Sequence, residues 1–114
     1  MKQVRILHNE AIELAEKAFT LKRRGETEEA KSLFAEAFAL ERKAALAIPA
    51  EEQYEPSRSI LCRSAAALAL NAELFRESEI MVAQGLIGFP PHEIAEELRD
   101  LFAELCTKRQ LEAR

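Results

Sequence analysis

The residues in this chain most able to do chemistry are His8, His92, Cys62, Cys106 and Asp100. Imidazole and thiolate groups could hold zinc, but zinc sites draw their ligands from close-set pairs. Here each of the four candidate ligands stands alone, so no metal site is expected. A histidine acts as a general base only beside a group whose proton it can reach. Neither His8 nor His92 stands in a motif with a nucleophile. Asp100 falls among Glu96, Glu97 and Glu104, and a carboxylate run of that kind reads as a solvated helix face. The doublets Glu28-Glu29 and Glu51-Glu52 are abundant surface charge, not a constellation. Gly25, Gly85 and Gly88 each follow a helical pattern and act as terminators, so they form no phosphate-cradling loop. The chain is therefore expected not to be an enzyme and to need no cofactor. Its two cysteines read as reduced thiols.

Composition points the same way. Apolar residues make up 48% and charged residues 32% of 114 positions, a globular balance that one domain spanning 1–114 can satisfy. The net charge of −4 offers no field for a phosphate backbone, so no nucleic acid is expected. The start, Met1 to Glu10, carries no apolar leader, and the longest apolar run, Ala65 to Leu70, is too short for a bilayer. A cytoplasmic protein with no membrane contact is the expectation.

The elements that must carry any site read as helices throughout. Leu7, Ala11, Leu14, Ala18 and Leu21 recur at steps of four and three, and Ile12, Ala15 and Phe19 widen that face. Lys22, Arg23 and Arg24 oppose the negative end of the helix dipole before Gly25 stops the helix. Thr27 is the expected N-cap of a second helix, whose stripe is Ala30, Leu33, Phe34, Ala37, Leu40 and Ala44. So short a connection forces an antiparallel hairpin, placed at about 4–47. Residues 48–57 form a linker, and Ser57 is the expected cap of a third helix beginning at Arg58. That helix is apolar nearly all round, which belongs in the middle of a bundle. A break at Asn71 to Glu73 leads into a fourth helix, completing a second hairpin at about 58–88. A fifth helix, about 91–112, opens at Pro91 and buries one stripe of Ile94, Leu98, Leu101, Phe102 and Leu105. It reads as a C-terminal cap, with a fraying tail from Lys108 to Arg114. The fold class is all-α: antiparallel hairpins, about five helices.

The hairpins repeat. A shift of 48 residues lays Ala18 on Ala66, and Ala30, Phe34, Ala37 and Phe38 on Ser78, Val82, Gly85 and Leu86, matching small with small and large apolar with large apolar. This pattern resembles the tetratricopeptide repeat. Ala18, Gly25, Ala30, Phe34 and Ala37 match that family's small, turn, small, aromatic and small sites; Ala66, Ser78, Gly85 and Pro90 match in the second unit. The first unit lacks a closing proline, and Glu73 and Leu74 stand where the second would show a turn glycine and a polar residue. The resemblance implies that a protein or peptide partner docks on a concave face lined by the first helix of each pair. On matching positions that face would include Phe19, Lys22, Arg23, Arg63, Ala67, Leu70 and Asn71. Arg63 is expected either to pair with a glutamate inside the fold or to stand exposed at the groove. Ala15 and Phe19 occupy the places where some family members carry a peptide-carboxylate clamp, so no such clamp is expected. The competing expectation is a homodimeric or larger assembly subunit that uses the last helix as its interface.

Overall fold

A computed structural model describes residues 1–112. Five helices follow in order: α1 (Lys2–Arg23), α2 (Thr27–Leu46), α3 (Ser57–Asn71), α4 (Phe75–Leu86) and α5 (His92–Glu112), with one 3-10 turn at Glu52–Tyr54. Among the described residues there is no strand, and no helix is long and apolar enough to cross a membrane. Each helix packs on its chain neighbour, and α3 also meets α5. The largely apolar α3 thus touches α2, α4 and α5, leaving partly exposed a strip that includes Arg63, Ser64, Ala67 and Asn71.

The 48-residue repetition extends to backbone hydrogen bonds. After α1, the Gly25 N–H donates to Lys22 O (3.1 Å) and the Glu26 N–H to Leu21 O (3.0 Å). After α3, Glu73 donates to Leu70 O (3.0 Å) and Leu74 to Ala69 O (2.8 Å), the same pair one repeat later. Both turns close through a left-handed residue, Gly25 at φ 83° and Glu73 at φ 62°. Glycine takes that conformation freely, whereas a side chain there costs roughly 1–2 kcal/mol. The missing turn glycine therefore left the turn intact, with the Glu73 carboxylate 3.0 Å from the Lys31 ammonium.

Two helix starts differ from the sequence expectation. Thr27 is the first helical residue of α2 and its hydroxyl donates to Gly25 O at 3.3 Å, because the turn places Glu26 in the capping conformation. Ser57 is likewise inside α3; the carboxylate of Glu55 takes over, accepting from the Ser59 N–H at 3.1 Å. The tail expected to fray from Lys108 is helical through Glu112, with Arg109 2.6 Å from Glu79 of α4; positions 113–114 lie outside the described residues.

The core runs along the small positions of the repeat. Ala18, Ala37, Ala65, Ala66 and Ala69 are fully buried, bringing the helix backbones close, while Phe34, Met81 and Leu98 fill the larger spaces. Gly85 shows how tight this is. A β-carbon there would lie 2.8 Å from Leu98 Cδ1 and 3.1 Å from Cys62 Cβ. Gly85→Ala should lower stability by about 1–3 kcal/mol through overpacking, despite alanine's better helix propensity, as urea unfolding would show.

Candidate functional site

Two buried charged groups, neither anticipated from the periodicity, join separate helices. Glu41, in the apolar stripe of α2, is wholly buried. Its carboxylate lies 2.9 Å from His8 Nδ1 of α1 through both oxygens and accepts from Ser64 Oγ of α3 at 2.5 Å. A buried carboxylate is tolerable only when hydrogen-bonded in this way. The arrangement holds a histidine, a carboxylate and a hydroxyl, but Ser64 donates to the glutamate and not to the imidazole. It therefore lacks the nucleophile–base contact that acyl transfer needs, and it acts as a clasp joining three helices. Glu41→Ala should cost roughly 2–3 kcal/mol through lost charge-assisted hydrogen bonds and lost packing, measurable as a lower urea midpoint.

Arg58 is the second group. Arg58, near the start of α3, is buried, and Nε donates to Glu55 at 3.0 Å. Nη1 donates to Gln84 O at 2.8 Å, and Nη2 to Gly85 O at 3.3 Å and to Ile87 O. One guanidinium thus satisfies the orphan carbonyls at the end of α4, where the helix dipole favours a cation. Nearby Cys62 is buried; desolvation pushes its thiol up to about 11 against the opposing pull of Arg58, so at neutral pH it is an unreactive thiol. Cys106 is exposed on α5. His92 lies on the surface, 3.7 Å from Glu96.

The surface residues singled out by the repeat separate into different places. Lys22, Leu70 and Asn71 share one cavity at the turn end of the hairpins, where the Lys22 ammonium donates to Asn71 Oδ1 at 3.0 Å. Leu70 is buried there as part of the cavity floor. Arg23 is exposed and donates back to Thr20 at 3.3 Å, so it does not join them. Phe19 is partly exposed and sets its ring edge-on to Phe34, with centroids 4.9 Å apart.

Arg63 lies in a separate cleft between α3 and α5, and both expectations for it hold in part. It pairs with Glu97 at 2.7 Å, yet remains 29% exposed at the cleft wall. Arg63, Ser64 and Ala67 from α3 face Glu97, Asp100, Leu101 and Glu104 from α5 across a cavity of about 470 Å³. The acidic run of α5, read as a solvated face, is therefore also one wall of the largest cleft described. Spacing along α5 showed the carboxylates; only the packing of α5 beside α3 showed what they face.

Fold and surface together define an all-helical stack of hairpins with open clefts between helices. The chain matches no protein-family model, no curated protein and no solved structure.

Proposed function

We propose that this chain is a non-catalytic interaction module that binds a peptide or partner helix along a tetratricopeptide-like concave face formed by α1, α3 and α5. The observation that carries the reading is the open cleft between α3 and α5, set beside a hairpin geometry that repeats at 48 residues. Its apolar floor of Ala67 and Leu101 would bury side chains, and Glu97, Asp100 and Glu104 would select a basic or amphipathic segment by charge. Arg63 stands on this face, and Phe19 is the exposed aromatic residue that α1 would add to it. Lys22, Leu70 and Asn71 belong to the neighbouring cavity. A non-catalytic role is supported by His8 being committed to Glu41.

The test compares capture of partners by the wild type and by an Asp100→Lys/Glu104→Lys variant. Loss of a specific partner, with an unchanged thermal melt, supports the cleft. An unchanged set of partners overturns it.

One surface favours the assembly reading. Phe102 on α5 is 40% exposed beside Val82, Ala83 and Leu86 of α4, and Ile87 and Phe89 are exposed close by in sequence. An assembly subunit would keep its mass on dilution and become monomeric in Phe102→Glu. A wild type that is monomeric at all concentrations removes this alternative.

A further inference from the structure

At the end of the bundle remote from the two hairpin turns, the start of α1 faces the start of α3 across a cavity of about 290 Å³. Val4, Ile48, Ile60 and Leu61 form its apolar wall; Ile48 and Leu61 are buried and the other two partly so. Arg5, His8 and Ser57 supply the polar groups, and no carboxylate lines it. The adjoining cavity, which shares Met1 and Val4, is likewise free of carboxylates and adds Lys43. The α3–α5 cleft, by contrast, has Glu97, Asp100 and Glu104 in its walls.

The ion pairs of this region leave one cation over. Glu41 is engaged by His8, and Glu55, two residues before Ser57, pairs with Arg58 at 3.0 Å. Among the described residues, Arg5 has no carboxylate within ion-pair distance. The first turn of α1 contains no acidic residue either. A carboxylate only accepts hydrogen bonds, so the proton facing Glu41 sits on His8 Nδ1, and Nε2 is the ring nitrogen left for a ligand. The imidazole is 36% exposed, and it lines the cavity while Glu41 and Ser64 do not. Glu41 therefore also fixes how the ring stands at the cavity wall.

We propose that this cavity binds a small apolar carboxylic acid, with its chain against Val4, Ile48, Ile60 and Leu61 and its carboxylate on Arg5 and His8. The charges then balance: the Arg5 guanidinium and the His8 imidazolium face two carboxylates, that of Glu41 and that of the ligand. A guanidinium presents a planar fork that matches a carboxylate, and an apolar wall strengthens such a bond by lowering the local dielectric. The volume stands at the lower edge of the roughly 300–1,000 Å³ of small-molecule pockets, which suits a short aliphatic chain. This site is independent of partner docking in the α3–α5 cleft.

The test is an amide and imidazole chemical-shift titration of the whole chain with octanoate, with acetate and octylamine as controls for the chain and for the charge. Expected are saturable shifts around Arg5, His8, Ser57 and Ile60, and a His8 Nε2 resonance that moves with octanoate. Acetate, which lacks the chain, should bind at least about tenfold more weakly. Octylamine should give no saturable shift at these residues. Arg5→Gln should weaken octanoate at least about fivefold, through loss of a charge-assisted hydrogen bond at an exposed residue. Arg24→Gln removes the same charge at the other end of α1 and should leave the affinity unchanged. Non-saturating shifts, saturation elsewhere on the chain, a stationary His8 Nε2, acetate or octylamine binding as tightly as octanoate, or equal effects of the two arginine variants overturns the proposal.

Discussion

Arg58→Ala is expected to destabilise the chain by about 3–5 kcal/mol, the cost of breaking a buried ion pair from one side. The substitution strands two sets of groups together. Glu55 keeps its charge with only the Ser59 N–H as a remaining partner, and the carbonyls of Gln84, Gly85 and Ile87 lose their shared donor. Domains of this size are stable by about 5–15 kcal/mol, so the loss takes a large share of the total. The melting temperature should fall by very roughly 15 °C, at about 4 °C per kcal/mol. Arg58→Lys discriminates between charge and geometry. A lysine keeps the charge but cannot fork to several carbonyls at once, so it should recover only part of the loss. If Arg58→Lys matches the wild type in urea unfolding, ion pairing with Glu55 is the whole effect and the carbonyl contacts contribute nothing.

Phe34→Ala should cost a similar amount, about 3–5 kcal/mol, by the removal of a large side chain from a site with little room to collapse. Phe34 is almost completely buried between the hairpins, and its neighbours Ala18, Ala30 and Ala37 are too small to move into the gap. Part of the loss belongs to its edge-on contact with Phe19, worth about 0.5–1.5 kcal/mol. A double-mutant cycle with Phe19→Ala isolates that part. A coupling energy of zero would mean that Phe19 is held by the rest of α1 and is free to serve as a surface contact.

These two sites mark how differently sequence and structure contributed. Phe34 was legible: its spacing from Ala30 and Ala37, and their counterparts one repeat later, already required a tight hairpin with one large residue between small ones. The helix order, both turns and the central place of α3 followed from the same local signals, because periodicity and turn chemistry act within a few residues. Glu73 tested that logic at its weakest point. It adopts the left-handed conformation without glycine, so the surrounding packing outweighed a local preference worth roughly 1–2 kcal/mol.

The polar groups were decided by the tertiary structure alone. Glu41 falls in register with the apolar stripe of α2, four residues after Ala37 and three before Ala44, but register names no partner; it is wholly buried because His8 and Ser64, from two other helices, reach its carboxylate. Arg58 looked like an ordinary first-turn residue, while Arg63 stood out as the lone charge in an apolar run. Arg58 is nonetheless the buried one of the two, since the end of α4 comes to rest against the start of α3 and needs a donor there. The acidic cleft and the cavity beside His8 likewise combine residues from different helices. Apolar spacing fixes which helices form and which faces they bury. Where a charge ends up depends on partners distant in sequence, and those partners are set only when the hairpins pack.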